Sequence, residues 1–570
     1  MFISQAATKP PSSRESPSLS PEQIRGELEG SQERGFPLPV YTPSLHRALR
    51  NDNEQLLHQR RPHETDAESA TPHKEDATAK SASPDGDRKS AIFFAPRTSI
   101  LDYTELMYHG SDTIRGLVTC FWTIVGAYLI SLLVANYESS GEFLSRNLAA
   151  SIFSRGKDLL LSDLALVAST FFVVPFVRVL WVGGWQPAFL DPRSGSSVLL
   201  HAVAEIGWLV FWYGWQGSRD WPWAQRCFFS LHTAVNWMKV HSYLSTNRNL
   251  ACVLCNKTDL VAQRGSCKEG DEHIQEEVEK LDAELCPYSN ARFPETLTVS
   301  NYLMFQLCPA LVYELEYPRT PRIRWLYVAE KMAGTAGIFV VFYVVVAHLM
   351  IPHLERMPET GVLLTTVHLM GPMATCWLLF FFITFDSISN GFAELTRFAD
   401  RRFYDDWWNA RGLDEFSRKW NRPVHLFLAR HIYMPVRANW RIYKSSKDGS
   451  AKNQTRVGGL VRRLRITVPA PMAAMAATFF FSSILHEVTV VVACHRWNHG
   501  MLFFSQMMQI PMIYMSGKMV WYKNQHALRN WIFWVLMVFF QPLLLCLYTY
   551  QAFANRTALN TTLAAPPFAS

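Results

Sequence analysis

Two neighbourhoods in this 570-residue sequence hold side chains suited to moving a proton and fixing a polar substrate. The first is the apolar run Met472–Cys494, with His486 and Glu487 at its centre and Ser482 and Ser483 one turn earlier. An imidazole titrates near neutrality and can take a proton from a hydroxyl. A carboxylate at membrane depth costs about 2.5–3.5 kcal/mol on insertion scales, so Glu487 needs a protein partner or a water-filled cavity. Successive helical residues lie about 100° apart, so one of the pair can face a substrate while the other holds a neighbouring helix. Ser482 shares the face of His486, within reach to orient or assist the ring. The second neighbourhood is Phe403-Tyr-Asp-Asp-Trp-Trp-Asn409, followed by Trp420-Asn-Arg-Pro-Val-His425 and Arg430-His431. Trp407 and Trp408, flanked by Asp and Asn, suit an interfacial pocket where aromatic walls meet fixed hydrogen-bonding groups. An aromatic belt at the membrane surface is the plainer reading of the same pair.

The elements that must position these groups are membrane helices. The whole-chain averages, 49% hydrophobic and 18% charged, hide a division. Residues 1–95 are rich in Ser, Pro, Glu, Gln and Arg, which cannot bury enough apolar area to offset ordering entropy, and they read as a disordered cytosolic tail. The rest is apolar and aromatic, with 19 Trp and 37 Phe, which excludes collagen-like, coiled-coil and disulfide-scaffold classes. The sequence predicts an all-α, polytopic membrane protein. Runs of about 20 apolar residues, the length that crosses a hydrocarbon layer, predict about nine transmembrane helices: 116–135, 159–181, 198–215, 227–244, 328–350, 363–385, 472–494, 501–521 and 531–550. Lys239 and His241 interrupt the fourth. Asp163, His201, Glu205, His232, His368 and Gln541 fall inside spans and must face protein or a water-filled cavity. Residues 389–467 carry 17 Lys+Arg against 7 Asp+Glu, which places that loop on the cytosolic side and residues 552–570 in the lumen. The sequons at Asn555 and Asn560 agree with that parity, although Asn256 and Asn453 head sequons in loops read as cytosolic.

FYDDWWN followed by a membrane-embedded His–Glu pair resembles the membrane-bound O-acyltransferase family, in particular its branch of sterol and diacylglycerol O-acyltransferases. The resemblance runs from about Phe93 to Tyr550, within a predicted enzyme domain of 96–551. Phe293-Pro-Glu-Thr-Leu-Thr298, the stretch from Tyr313 to Trp325, Phe398-Ala-Asp-Arg401 and Phe416-Ser-Arg418 look closest to fungal acyl-CoA:sterol acyltransferases. Met238-Lys-Val-His-Ser-Tyr243 is common to both kinds, and Gln541-Pro542 looks more like the diacylglycerol enzymes. Two departures stand out. About 77 residues separate Asn409 from His486, longer than the usual interval, the excess being a basic insertion around 437–465. Leu426 stands where relatives often have Lys after Pro-Val-His, which leaves Arg430 as the nearest basic substitute.

The resemblance implies transfer of a fatty acyl group from coenzyme A to the hydroxyl of a sterol, forming a steryl ester. A neutral, buried His486 would act as general base and Asn409 as its catalytic partner on substrate or carbonyl oxygen. Tyr404, Trp407, Trp408, Ser482, Glu487, Gln509, Gln541, Arg430 and His425 are the expected substrate-binding set. The basic loop offers the phosphates of coenzyme A a favourable field, though anionic lipid would draw the same charge. Acyl-CoA is a co-substrate, and no cofactor or metal is expected. Cys252-Val-Leu-Cys255 with Cys267 and Cys286 outlines a zinc site but lacks the second close pair that such sites show. The implied partners are acyl-CoA, a membrane sterol or diacylglycerol, the bilayer and a second copy of the chain in a dimer or tetramer, with no nucleic acid. The implied location is the endoplasmic reticulum membrane. A diacylglycerol acyltransferase is the alternative enzyme. A transporter is the alternative class, although the odd span count and lack of an internal repeat fit it badly.

Overall fold

The computed structural model of this chain describes residues 99–102, 112–143, 154–183, 190–266, 272–287, 291–445, 469–494, 500–518 and 525–564. The predicted tail 1–95, Cys267, and residues 446–465 of the basic insertion lie outside them. Among the described residues the structure is helical, with one isolated antiparallel bridge between Arg319 and Phe398. The elements are α1 (Asp112–Ser140), α2 (Gly156–Val182), α3 (Gly195–Gly217), α4 (Trp223–Ser266), α5 (Glu272–Leu285), α6 (Val299–Leu307), α7 (Trp325–Glu355), α8 (Val362–Leu395), α9 (Leu413–Lys419), α10 (422–445), α11 (Ala470–Cys494), α12 (Met501–Met507), α13 (Gln509–Lys518) and α14 (His526–Ala564).

Six of these are long and apolar enough to cross a membrane: α2, α3, α7, α8, α11 and the Gly156-to-Tyr550 series' last member, His526–Tyr550 within α14. Their outward faces are greasy, with Leu161 68% and Leu326 85% exposed. Such faces suit a lipid surrounding. The prediction of nine spans is not matched in three places, each for a local reason. The described apolar part of α1, Thr123–Glu138, is short. The fourth predicted span is one portion of the 44-residue α4, whose polar side chains bring its average near neutrality. The eighth is broken at Met508 into α12 and α13. Gly500 starts α12 with φ of +72°, a left-handed conformation in which any Cβ would also lie 3.3 Å from the Phe504 ring. At the far end α14 stays helical to Ala564, past the predicted boundary at residue 551.

The chain divides into two units, 91–248 with 291–570, and 1–90 with 249–290. In the second, the end of α4 and α5 are joined by the Lys257–Asp282 ion pair. The first unit holds the core beneath the FYDDWWN loop. Lys331 of α7, 3% exposed, bridges Asp102 and Asp386 at 3.0 Å each. Tyr327 donates to the same Asp102 carboxylate. Glu394 at the end of α8 accepts from Arg324 at 3.1 Å and Arg401 at 2.6 Å. Ionised groups this deep persist only when each has a partner, which fixes α7 and α8 relative to each other.

Candidate active site

The FYDDWWN segment is clamped along its backbone. Phe403 carbonyl accepts from Arg422 N–H at 2.9 Å, and Asp405 N–H donates to Lys419 carbonyl at 2.8 Å. Asn530 Nδ2 donates to the carbonyls of Trp408 and Ala410, both at 2.9 Å, and Trp534 Nε1 donates to the Trp408 carbonyl at 3.1 Å. Two consecutive Trp rings take unlike roles. Trp407 is 2% exposed and packs among Phe381, Trp377, Trp420, Phe416 and Trp534. Trp377 and Trp420 stack at 4.2 Å between ring centres. The expected pocket wall is thus, for Trp407 and for Tyr404 (1% exposed), a closed aromatic core that sets the loop's shape. The physical reason is area: an indole gains more from full burial than from lining a wet cleft. Trp408 is half-buried. Asn409 is exposed at the loop's edge, its Nδ2 held by Asp406 at 3.4 Å.

In α11 the burial of the His–Glu pair is the reverse of the expectation for the imidazole. His486 is exposed and Glu487 is 3% exposed. His486 Nδ1 lies 2.8 Å from the Ser482 carbonyl oxygen. A carbonyl only accepts, so Nδ1 carries a proton, and in the neutral form of the ring the lone pair is the one on Nε2. Ser482 therefore orients the ring as the sequence suggests, but through its backbone and not its hydroxyl. The adjacent Ser483 hydroxyl turns inward to the Phe479 carbonyl at 2.7 Å. Glu487 faces the bundle: Oε2 accepts from Phe503 N–H at 3.0 Å and from the Tyr548 hydroxyl at 3.2 Å, tying α11 to α12 and α14. The one carboxylate in this span is a brace for the helix that presents the imidazole.

The two neighbourhoods meet through α10, which leaves the loop and packs against α11. Asn421 caps its start, Oδ1 accepting from Val424 N–H at 3.1 Å. Phe427, Trp237 of α4 and Phe481 of α11 pack together at that junction. Among the described residues no hydrogen bond joins Asn409 directly to His486. Arg430 Nη1 donates to Glu314 Oε1 at 2.6 Å, so the expected substitute for a phosphate-binding Lys is already engaged. His425 is held at about 4 by burial and by the Arg418 and Arg422 guanidiniums; near pH 7 it is a hydrogen-bonding group without charge. His431 is likewise kept well below the usual imidazole range, by burial and by His241 and Arg430. Burial would raise the Glu415 carboxyl, but Lys419 and Arg411 outweigh it and hold Glu415 at about 2.

Pairing of this kind accounts for most of the described basic side chains in the loop: Arg402 and Arg422 with Asp405, Lys419 with Asp406, Arg418 with Asp414. Half of the loop's charge excess, +5, falls in 446–467, outside the described residues. Gln541 is half-buried and lines a cavity of about 30 Å³ between α8 and α14 with Trp377, Met373, Trp534 and Met537. It would hold about a water or two, not a sterol nucleus. Gln509 is half-buried at the start of α13.

Sequence reasoning missed three contributors. Trp377 and Trp534 read as ordinary span residues, and only packing reveals them as the backing of Trp407. Asn530, just ahead of the last predicted span, had a visible signal: an amide beside an apolar run needs carbonyl partners. Leu101 N–H donates to the Tyr404 hydroxyl at 2.9 Å, and Ser99 Oγ donates to the Arg401 carbonyl at 2.7 Å. Thus the last residues before the predicted bundle buttress the loop from beneath.

Comparison with known proteins adds the following. Residues 208–447 match the model of the MBOAT, membrane-bound O-acyltransferase family; that match includes the FYDDWWN loop and ends before His486. The chain is 30% identical to the probable sterol O-acyltransferase 2 of Schizosaccharomyces pombe, over 76% of this chain and 86% of the relative. It is 27% identical to sterol O-acyltransferase 2 of Saccharomyces uvarum, over 89% of this chain and 76% of the relative. Its likeness to diacylglycerol O-acyltransferase 1 of Dictyostelium discoideum is 31% but covers 46% of this chain and 38% of that one.

Proposed function

Because this chain belongs to the membrane-bound O-acyltransferase family, we propose that it transfers a fatty acyl group from acyl-CoA to the hydroxyl of a membrane sterol. The observation that carries this reading is the breadth of likeness to sterol O-acyltransferases, which runs over most of both chains. The diacylglycerol relative matches less than half of either. The thioester is already activated, so the chemistry asks for a base at the hydroxyl, charge stabilisation at the carbonyl and exclusion of water. His486 Nε2 takes the proton as the sterol oxygen attacks the thioester carbon. The tetrahedral intermediate then expels the coenzyme A thiolate, which receives that proton from the imidazolium, leaving ester and free thiol. The fixed Nδ1 proton supports this assignment, because it leaves Nε2 as the only basic atom of the ring. Asn409 steadies the carbonyl oxygen or the coenzyme portion from the loop edge, and acyl-CoA is the sole co-substrate. Exposure of His486 on the single chain fits a group that must meet a lipid-borne alcohol. The family's usual setting makes the endoplasmic reticulum membrane the proposed location and a homodimer or homotetramer the proposed assembly.

The test uses microsomes containing the full chain, labelled acyl-CoA, and either ergosterol, cholesterol or diacylglycerol. Labelled steryl ester is expected; triacylglycerol alone would replace the sterol reading with its sister, and neither product would end both. His486→Ala at normal protein level is expected to lower turnover by about 10²- to 10⁴-fold, the usual worth of a general base. Full activity in that variant would refute the assignment of the base.

A further inference from the structure

Away from the proposed active centre, α3 and α4 bring two imidazoles and a carboxylate to one point. His201 Nε2 lies 2.6 Å from Glu205 Oε1, and His241 Nδ1 lies 2.9 Å from Glu205 Oε2. The three donor atoms all fall within 4.8 Å of one another. We propose that His201, Glu205 and His241 form a binding site for a divalent transition-metal ion of the zinc class, joining α3 to α4.

Four observations support it. The donors are the nitrogen and oxygen types that such an ion takes, and three protein ligands leave a further position for water. His201 and Glu205 stand four apart on α3, so a single helical turn aims both at the same spot. Two of the three ligands are buried, His201 at 7% and Glu205 at 5% exposed, and His241 is half-buried. Trp181 lies against His201 at 5.8 Å, and Trp237 stacks on His241 at 5.7 Å between ring centres. Lastly, the proposed acyl transfer uses none of the three, yet they set an ionisable carboxylate inside a membrane span, where it demands a countercharge. Tetrahedral ligation at about 2.0–2.1 Å places ligand atoms roughly 3.3 Å apart. The two imidazole–carboxylate separations, 2.6 and 2.9 Å, are tighter than that and the ligand atoms as a set lie within 4.8 Å, so side-chain rotations must open the first two to admit the ion. Next to the site, the His431 ring stands edge-on to His241 at 5.0 Å, with Nε2 3.0 Å from the Ser242 hydroxyl. That contact restrains the orientation of the His241 ring from the α10 side.

The experiment uses the full chain purified in detergent through a tag free of histidine. The protein is stripped with a chelator, exposed to Zn²⁺, desalted and analysed for bound metal. One zinc per chain is expected, retained when Cys252 and Cys255 are both changed to Ser. Retention is expected to weaken by at least about 10-fold in Glu205→Gln, which preserves shape and a hydrogen bond to each imidazole. Because that variant can also fail to fold, monodisperse elution is checked, and Co²⁺ is added to the unmodified protein as a second reading. Four-coordinate d–d absorption without a thiolate charge-transfer band is expected. Zinc-free folded protein, zinc lost with the cysteines, zinc kept by folded Glu205→Gln, or a thiolate band would each overturn the proposal and leave a metal-free His–Glu–His clamp.

Discussion

The base role proposed for His486 needs a lone pair on Nε2, since the Ser482 carbonyl accepts from Nδ1. The neighbouring Glu487 shapes where that nitrogen sits, since its carboxylate holds Phe503 N–H and the Tyr548 hydroxyl. Glu487→Gln keeps an acceptor oxygen and is expected to retain steryl ester synthesis within a few-fold. Glu487→Ala orphans a buried N–H and hydroxyl, costing about 1–3 kcal/mol, and is expected to depress kcat more than the KM for acyl-CoA. Equal behaviour of the two variants in a turnover assay would contradict the brace role. His425 gives a pH signature. Its pKa is depressed to about 4 in the folded chain, against about 6.5 when unfolded. The unfolded state therefore binds the extra proton first as pH falls. The stabilisation is whole above pH 6.5 and is lost progressively down to pH 4. Thermal unfolding of the wild type should show that loss, and His425→Gln should flatten the curve across the window.

At the scale of elements, the FYDDWWN loop owes its conformation to the helices beneath it more than to its own residues. Trp407→Ala removes an indole from the stack of Trp377, Trp420 and Trp534 and is expected to cost about 3–5 kcal/mol. That should appear as a lower melting temperature in detergent and a fall in folded protein. A change below about 1 kcal/mol would mean that the ring is not part of the core. The sequence singles out the loop as one unit, because aromatic, acidic and amide residues so closely spaced are costly in lipid and in water alike, and the structure holds it as one packed segment. Which Trp faces inward was not legible, because a two-residue repeat gives no periodicity to read. The brace at Glu487 was readable as a cost that needed a partner, while Phe503 and Tyr548 became identifiable only once α12 and α14 were in place. Spans four and eight do not stand out as single apolar helices for a related reason. Hydropathy reports an average over a window and does not register that α4 continues for 44 residues or that Met508 divides α12 from α13.

Across the whole molecule, the all-α membrane architecture followed from apolar run lengths alone, because lipid leaves the backbone few alternatives. What averages could not foretell are the partnerships spanning hundreds of residues. Asp102→Ala leaves the Lys331 ammonium with one carboxylate in place of two, and the loss of a buried ionic partner typically costs about 3–5 kcal/mol. Reduced thermal stability and reduced ester synthesis together are expected; unchanged melting would show that Asp386 suffices. The bonds from Ser99, Leu101 and Asp102 reach partners 225 to 303 positions later. At about 5–20 residues per second of synthesis, roughly 15–60 s separate the emergence of this strand of chain from that of Tyr404. Asp102 is made 229 residues before Lys331, and Lys331 in turn 55 residues, or about 3–11 s, before Asp386. The loop's surroundings are thus complete only once α14 has supplied Asn530 and Trp534, and a messenger cut short ahead of α14 would yield a product with no means of completing its own interior.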